Sequence, residues 1–350
     1  MKSNLRKLVF AMAIIVGGES TMACTRVVFH GDNNNNMTAR SMDWKSDVGT
    51  NLWIFPNNVK RNGNAGPKSI EWTAKYGSVV ATGYDISTTD GLNEKGLNAN
   101  LLWLVESEYP AFKKTNKPLL SISLWAQYVL DNFATVDEAI KALEKEPFLV
   151  VSDSVPGENR LATLHLSISD ASGDSAIIEY IKGKQVIHHD RKYQVMTNSP
   201  TFDQQLALNS YWKNIGGTVM LPGTNRAADR FARASFYINA IPKNANQRET
   251  LASVFSVIRN ASVPFGLNTE EEPNISSTRW RTVVDHKNSL YFFESAVSPN
   301  VFWINLKDIN FNTTQTQKLE LGPDQSILYS GEVNKSFKNA QPFHFLGAKS

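Results

Sequence analysis

The order of strand-like and helix-like segments is the feature that most restricts how this chain can fold. Strand-like runs come first, and helical and strand-like stretches then follow in blocks rather than in regular alternation. A parallel sheet with crossover helices would need strand and helix to alternate along the chain. The blocks therefore predict an α+β fold in which two antiparallel sheets carry helices on their outer faces.

The individual segments are predicted from hydrophobic spacing and from the turn residues between them. The strand-like runs are residues 24–30, 37–43, 51–55, 78–84, 96–104, 161–169, 176–181, 185–188, 193–197, 278–285, 289–294 and 301–304, with a last pair near 318–321 and 327–329. The helical runs are residues 119–133, 139–143, 202–213, 226–239 and 247–259. Thr135 and Glu138 form a capping box before the second helix. The first two runs form a hairpin, and residues 88–91 are predicted to be a turn.

The first 23 residues have the pattern of a secretory signal peptide. Basic residues come first, an apolar run follows over residues 8–17, and the small residues Thr21 and Ala23 precede a cleavage point. The apolar run is shorter than the roughly 20 residues of a membrane-spanning helix. We therefore expect residues 1–23 to be removed, residues 24–350 to form one domain without a membrane anchor, and the protein to be periplasmic or secreted.

Removal of that segment would make Cys24, the only cysteine, the first residue of the chain. A thiol with a pKa of about 8.5 and an α-amine with a pKa of about 7.7–8.0 both change protonation near neutral pH. The pair is a self-contained nucleophile and base. Two other readings stay open at this point: an inert buried cysteine, and the acylated first residue of a lipid-anchored binding protein without catalysis. Thr21 at position −3 is not the branched apolar residue typical of lipoproteins.

Composition narrows the classes of partner. The 36 basic and 33 acidic residues give a net charge of +3, which offers no basis for nucleic-acid binding. A single cysteine leaves no internal disulfide, so packing must stabilise the fold. The six histidines show no metal-binding spacing, and the adjacent His188 and His189 would face opposite sides of a strand. We expect no metal and no nucleic acid.

Five motifs occur in order along the chain: CTR at 24–26, TARSMDW at 38–44, DGLNEKGL at 90–97, MTNSPTFDQQL at 196–206 and LPGTNRAADRFAR at 221–233. Together they resemble the choloylglycine hydrolase and penicillin V acylase family, closest to its exported Gram-negative penicillin V acylase-like branch. The resemblance implies an N-terminal-nucleophile (Ntn) hydrolase fold, a four-layer αββα sandwich, over residues 24–350. It also implies hydrolysis of a small-molecule linear amide without cofactor or metal, and a homotetramer.

The same resemblance implies five catalytic residues: Cys24, Arg40, Asp43, Asn198 and Arg230. Cys24 would be the nucleophile and Asp43 the charge partner of its amine. Arg40 would favour the thiolate. Asn198 would donate its side-chain N–H to the oxyanion, and Arg230 would hold the active-site loops together.

The local pattern alone gives plainer readings of these residues. Arg40 and Asp43 are three apart in a strand, so their side chains would face opposite sides unless a bulge or bend intervenes. By themselves they read as surface charges, Asn198 reads as a turn residue before Pro200, and Arg230 reads as a solvated helix charge. The resemblance favours the catalytic interpretation over these.

Two tryptophans bear on the substrate. Trp103 stands where bile-salt hydrolases generally place an asparagine, so a main-chain N–H near Thr25 would have to complete the oxyanion hole. Trp44 and Trp103 suit aromatic walls for a flat or apolar acyl group, although core packing is the alternative for each. We expect a penicillin V or N-acyl-homoserine-lactone type substrate, the latter implying quorum quenching, with a conjugated bile salt as the alternative.

Overall fold

Two large β-sheets stacked face to face form the centre of the molecule, and helices cover their outer faces. The computed structural model describes residues 24–112, 115–268, 276–312 and 315–348. The expected signal segment, residues 1–23, lies outside the described residues. Among the helices of these described ranges, none combines the length and apolar character that a membrane crossing requires.

The described residues form twenty strands and five α-helices. In chain order the strands are β1 Thr25–Phe29, β2 Met37–Trp44, β3 Leu52–Phe55, β4 Lys60–Asn62, β5 Glu71–Thr73, β6 Ser78–Gly83, β7 Ser87–Asn93, β8 Asn98–Trp103, β9 Leu119–Ser121, β10 Leu149–Val151, β11 Leu164–Ser169, β12 Ser175–Ile181, β13 Lys184–His189, β14 Val195–Met196, β15 Ser277–Asp285, β16 Leu290–Ser295, β17 Val301–Asn305, β18 Gln317–Leu319, β19 Gly331–Glu332 and β20 Lys338–Asn339. The helices are α1 Trp125–Asn132, α2 Val136–Leu143, α3 Phe202–Ile215, α4 Ala227–Ala240 and α5 Gln247–Asn260.

The strands form two main sheets. The first sheet has seven strands in the order β14-β1-β2-β15-β16-β17-β19, and the second has nine in the order β13-β12-β11-β8-β7-β6-β3-β18-β20. Neighbouring strands in both run antiparallel, except for the parallel pair β17 and β19. Two short pairs, β9 with β10 and β4 with β5, are separate.

The helices divide between the outer faces of the two sheets. α4 and α5 pack on β1 and β2 of the first sheet, and α3 packs on α4. α1 and α2 pack on β7, β8 and β12 of the second sheet. One apolar cluster joins the space between the sheets to α4 and α5, and a second lies between the second sheet and α1 and α2. The four-layer αββα sandwich is therefore confirmed.

The predicted hairpin of β1 and β2 provides the second and third strands of the first sheet. Its turn places Asn33 and Asn34 at φ of 54° and 59°, a region that asparagine tolerates better than most residues. Thr25 pairs with Ser41, and every residue of both strands is buried. Cys24 therefore lies at the end of a buried central strand, where its position is tightly fixed.

The turn predicted at residues 88–91 is wrong, because these residues lie inside β7. The actual turns flank this strand, at Tyr84 and Asp85, which have φ of 53°, and at Gly96 with φ of 89°. Gly91 is needed for packing rather than for a turn. A Cβ there would lie 2.8 Å from the side chain of Leu130 on α1. Buried contacts made by Asp90, described below, keep this polar segment within the sheet.

Two further boundaries differ from the prediction. The helix expected over residues 119–133 begins only at Trp125, since residues 119–121 form β9 and pair with β10. Hydrogen bonds from the main chain of the neighbouring segments favour the extended conformation there. The last predicted strand, residues 327–329, is not one: Leu328 is 61% exposed, and the nearby strand is β19.

Candidate active site

Cys24 precedes β1 with both its thiol and its main-chain nitrogen inside the protein, the residue being 3% exposed. The nitrogen donates a hydrogen bond to Oδ1 of Asn198 at 2.6 Å. The sulfur lies 3.9 Å from Nη2 of Arg40 and 3.5 Å from the main-chain nitrogen of Asp43. These contacts join four of the five residues that the sequence predicts to be catalytic, and the fifth, Arg230, reaches Cys24 from α4.

Arg40 and Asp43 reach Cys24 although their side chains lie on opposite faces of the first sheet. Arg40 points to the second sheet and donates to the carbonyl of Leu101 at 3.0 Å. The Asp43 carboxylate accepts a hydrogen bond from Thr278 of β15. Cys24 therefore meets the side chain of Arg40 but the main chain of Asp43. The bulge or bend expected between Arg40 and Asp43 is therefore not needed, and the register shift near them lies in the partner strand, between Thr278 and Trp280.

Arg40 is a buried cation whose positive charge is compensated by neighbouring groups. It is 1% exposed, and its Nη1 lies 4.0 Å from the carboxylate of Asp90 and donates to the carbonyl of Thr89 at 3.2 Å. Its guanidinium also lies over the ring of Trp280 at 4.7 Å. An unpaired buried charge would be strongly unfavourable, so these contacts hold the cation beside the thiol. The reading of Arg40 as a surface charge is wrong.

Burial dominates the titration of the site. It raises the pKa of the Cys24 thiol, while the Arg40 charge lowers that pKa and the Asp43 charge raises it. Burial also raises the pKa of Asp43 to about 6, against the lowering effects of Arg230 and of the Thr278 hydrogen bond. Arg40 therefore acts in the predicted direction, but the thiol stays protonated until a base takes its proton.

Arg230 and Asn198 hold the start of β1 from the helical side. Arg230, fully buried on α4, donates through Nη1 to the carbonyl of Cys24 at 2.6 Å and through Nη2 to Oδ1 of Asn198 at 2.8 Å. It is not a solvated helix charge. The Nδ2 of Asn198 donates to the carbonyl of Trp103 at 2.7 Å. One of its N–H groups is thus engaged, and donation to the oxyanion stays a prediction.

The main-chain N–H of Thr25, considered above as a second oxyanion donor, is engaged within the hairpin. It donates to Oγ of Ser41 at 3.2 Å. The side chain of Thr25 points the same way, toward α4, and accepts from Arg230. Thr25 therefore supports the geometry of the hairpin and faces away from the side of the sheet that holds the thiol.

Trp44 and Trp103 line a cavity of about 110 Å³ that ends at Cys24. Their ring centroids are 5.6 Å apart with an interplanar angle of 61°, an edge-to-face arrangement. Both residues are also at least 90% buried within the larger apolar cluster. The two readings of these tryptophans are thus compatible, since each packs in the core and presents a surface to the cavity.

Sequence reasoning missed other parts of the cavity wall. Residues 153–156 and Ala162 line it, and so does Leu346 near the end of the chain. The carbonyl of Leu346 accepts hydrogen bonds from Ser121 and Ser123, which fixes this distant segment beside the cavity. Pro156 and Gly157 give a turn signal, but no local pattern shows that the turn lies beside Cys24.

Arg160 lies over the two tryptophan rings that line the cavity. Its guanidinium lies 4.4 Å from the ring centroid of Trp103 and 5.9 Å from that of Trp44. It pairs with Glu158, which also pairs with Lys45 at 3.0 Å. The Arg160 side chain is 36% exposed, so a cation stands where solvent meets the aromatic walls.

No cluster with a metal-binding arrangement of three or more His, Cys, Asp or Glu residues occurs in the part of the chain that the structure describes. The cavity instead contains a thiol, a neighbouring cation and an apolar wall. These groups suit nucleophilic attack on a carbonyl whose acyl part is apolar.

Known proteins are similar to this chain over most of its length. The family described as linear amide C–N hydrolases, choloylglycine hydrolase family, matches residues 24–318. A penicillin V acylase of Pectobacterium atrosepticum is 60% identical, covering 96% of this chain and 95% of its own length. A bile salt hydrolase/transferase of Clostridium perfringens is 28% identical, covering 84% of this chain and 96% of its own.

Solved structures agree in fold. The structure of penicillin V acylase from Agrobacterium tumefaciens has a TM-score of 0.87 at 66% identity, and the match covers 93% of this chain and 100% of that one. A conjugated bile acid hydrolase mutant from Clostridium perfringens has a TM-score of 0.74 at 22% identity over 89% of this chain and 99% of that one, a likeness of fold. The chain is therefore an enzyme that hydrolyses C–N bonds of small-molecule amides, and it belongs to the linear amide C–N hydrolases of the choloylglycine hydrolase family.

Proposed function

We propose that the protein removes the acyl group of penicillin V, acting as an exported enzyme after loss of residues 1–23. The observation that carries the proposal is the hydrogen bond of 2.6 Å from the Cys24 nitrogen to Asn198, beside a thiol that faces an apolar cavity. Cleavage would turn that nitrogen into an amine in the same place. Its sequence neighbours named penicillin V acylase support this choice of substrate.

The reaction divides into two steps. The Cys24 amine, directly or through a water, takes the thiol proton, and the sulfur attacks the amide carbon to form a tetrahedral oxyanion. The C–N bond then breaks, the ammonium returns the proton to the leaving amine, and a thioester remains. A water molecule gives a proton to the same amine and attacks the thioester carbon. The C–S bond then breaks, the ammonium returns the proton to the Cys24 sulfur, and the free acid leaves.

The surrounding residues stabilise the charges that form. Arg40, 3.9 Å from the sulfur, stabilises the thiolate as it develops. Asn198 orients the amine through Oδ1, and the N–H of Nδ2 not bonded to Trp103 is the donor we assign to the oxyanion. Arg230 keeps both Cys24 and Asn198 in place.

The cavity supports an aromatic acyl group with an anionic amine half. Trp44 and Trp103 offer flat apolar walls for the phenoxyacetyl group. Arg160, a partly exposed cation over the ring of Trp103, is the group we assign to the carboxylate of 6-aminopenicillanic acid, because a guanidinium binds a carboxylate through two parallel hydrogen bonds. A neutral homoserine lactone lacks that carboxylate, so acyl-homoserine lactones, and quorum quenching with them, rank second. Conjugated bile salts rank third.

Initial rates on the three substrate classes test this ranking. The purified enzyme is assayed for release of 6-aminopenicillanic acid, homoserine lactone and glycine at equal substrate concentrations. We expect 6-aminopenicillanic acid release to be fastest. Dominant release of glycine or of homoserine lactone would contradict the proposed substrate.

Maturation and assembly are tested on the exported protein itself. The intact mass should correspond to a chain that begins with an unmodified Cys24 and is recovered from the periplasm or medium. A diacylglyceryl-modified Cys24, or a chain that begins elsewhere, would contradict the proposed maturation. Light scattering should give the mass of a homotetramer, the assembly that we propose from the family resemblance.

A further inference from the structure

His165 and Glu179 are two buried titratable residues that the mechanism above does not use. His165 lies on β11 and is 2% exposed, and Glu179 lies on the neighbouring strand β12 and is 1% exposed. Neither lines the cavity at Cys24. Buried polar groups of this kind need partners, and their partners lead toward the active site.

Both ring nitrogens of His165 face hydrogen-bond acceptors. Nδ1 lies 3.2 Å from Oε1 of Glu179, and Nε2 lies 2.9 Å from the main-chain carbonyl of Thr197. A carbonyl can only accept, and an ionised carboxylate can only accept. Because a neutral imidazole has one N–H, only the imidazolium form of His165 donates to both groups at once.

Glu179 is held in its ionised form. Burial by itself would raise the pKa of this carboxyl, but hydrogen bonds from His165 and His188 lower it to about 2. The carboxylate also accepts the main-chain N–H of Phe202, the first residue of α3, at 3.1 Å. The ring of His188 faces Asp203 on its other side at 3.6 Å. The acidic groups near His165 are therefore Glu179 and, beyond the ring of His188, Asp203.

The carbonyl that His165 holds belongs to the residue immediately before Asn198. On the following side, Nε2 of Gln205 donates to the carbonyl of Asn198 at 3.1 Å and to that of Ser199 at 3.0 Å. The main chain around Asn198 is thus fixed from both directions. The Asn198 side chain then donates through Nδ2 to the carbonyl of Trp103 and accepts through Oδ1 from the nitrogen of Cys24.

We propose that His165, which lies between the Glu179 carboxylate and the Thr197 carbonyl, is a positioning residue that fixes Asn198 and through it the amine of Cys24. The pair touches no reacting atom and acts through the Thr197 carbonyl. This inference rests on the proposed function, in which the amine is the base. Misplacement of a reacting group by about 1 Å can lower the rate about 100-fold, so a small movement of Asn198 is enough to matter.

Steady-state kinetics of four variants test the proposal. His165→Leu removes both donors, and we expect kcat to fall about 100-fold while KM changes less than threefold. His165→Gln keeps one N–H for the Thr197 carbonyl and should recover at least about tenfold of that loss. Glu179→Gln should lower kcat to an intermediate extent. His188→Gln is the matched control, because His188 contacts Glu179 but not Thr197, and its kcat should stay within about threefold of wild type.

Nitrogen NMR of His165 gives a readout that loss of packing would not imitate. In the wild-type protein the Nε2 signal of His165 should show a hydrogen bond to the Thr197 carbonyl, and the Nδ1 signal should change in Glu179→Gln. Absence of the hydrogen bond to Thr197 in the wild type would overturn the inference. So would equal kcat losses in His165→Leu and His188→Gln, or a His165→Gln variant that folds but recovers nothing. Absence of amide hydrolysis in the wild type would instead contradict the proposed function, and the NMR result would stand apart from it.

Discussion

The buried space between the two sheets contains an arginine at each of two paired positions, and the two are used differently. Arg26 and Arg40 lie directly opposite each other in the β1–β2 hairpin, and both point to the second sheet. Arg40 has Asp90 at 4.0 Å and the thiol of Cys24 at 3.9 Å. In the described residues, no ion pair joins Arg26 to a carboxylate.

Arg26 is instead surrounded by neutral acceptors. It donates to the carbonyls of Ile168 and Tyr193 and to the hydroxyl of Ser175, at 3.0–3.2 Å. Burial lowers its pKa to about 9. Burial of a cation between the two sheets therefore does not by itself indicate a catalytic role. What distinguishes Arg40 is its carboxylate partner and its distance from Cys24.

The Cys24 amine is the group whose loss should lower amidase activity most. A variant with one additional residue immediately before Cys24, left attached after processing, keeps the thiol but converts the amine into an amide. Because that amide cannot act as a base, amidase activity should fall at least about 1,000-fold. Activity is measured by 6-aminopenicillanic acid release, with the N-terminus verified by mass spectrometry. Full activity of the extended protein would rule out the amine as the base.

Arg40 and Arg26 should differ in their effect on activity when each is replaced by methionine. Arg40→Met should lower kcat/KM about 100-fold and slow alkylation of Cys24 by iodoacetamide, because the developing thiolate loses its nearest cation. Arg26→Met should leave kcat per folded enzyme within about threefold. Both variants are compared at equal folded fraction, measured by circular dichroism. Equal losses of activity in the two variants would break the distinction between the arginines.

Asp43, whose main-chain nitrogen lies next to the Cys24 sulfur, should make the folded protein less stable as pH rises. Asp43 has a folded-state pKa of about 6 against an ordinary value of 3.8, so the folded protein binds more protons between these values. Its stabilising contribution is therefore full below about pH 4 and is lost as pH rises through 6. The difference amounts to about 3 kcal/mol.

Asp43→Asn should remove this dependence. Urea unfolding at pH 4 and pH 7 measures it as the change in unfolding free energy of the wild type minus that of the variant. Arg26→Met serves as the control, since it leaves Asp43 in place and should keep the wild-type slope in this interval. A slope unchanged in Asp43→Asn would contradict the assignment to this carboxyl.

Replacement of Arg160, which lies over the ring of Trp103, should lower activity least. Arg160→Met should lower kcat/KM for penicillin V about tenfold, since a charge-assisted hydrogen bond contributes roughly 1.5–3 kcal/mol before solvent screening. The same variant should leave phenoxyacetyl-homoserine lactone within about twofold. Lys45→Met, which also removes a partner of Glu158, is the control. Equal losses on both substrates would remove Arg160 from leaving-group recognition.

Much of the architecture could be predicted from the sequence because it depends on local spacing. The hairpin at Cys24, the helices α3 to α5 and most strands follow from apolar periodicity and turn residues. β7 could not be found in this way. Its Asp90 reads as a turn residue locally, but in the fold its carboxylate accepts hydrogen bonds from Asn100, Thr282 and Tyr291. These partners stand on other strands, so the tertiary structure overrides the local preference.

The site could be predicted in part for the same reason. The five catalytic candidates were carried by motifs, and the structure brings Cys24, Arg40, Asp43, Asn198 and Arg230 together. The position of Leu346 in the cavity wall and that of Arg160 over Trp103 were not predictable, because each residue comes from a segment distant in sequence from Cys24. The direction of the Asn198 amide also depends on Trp103 of another strand.

Arg40 has one more consequence for the shape of the enzyme. The pairing of β7 with β8 ends at Asp90 and Asn100, and the next opposing pair, Thr89 and Leu101, has its carbonyls bridged by the Arg40 guanidinium. The guanidinium thus stands between β7 and β8 where their main-chain pairing has ended, beside the nucleophile. A lysine has a single terminal nitrogen and lacks the planar fork that spans both carbonyls. A positive charge at this position is therefore not enough to keep the strands apart. An enzyme engineered with lysine here would lose the separation of β7 and β8 at Thr89 and Leu101.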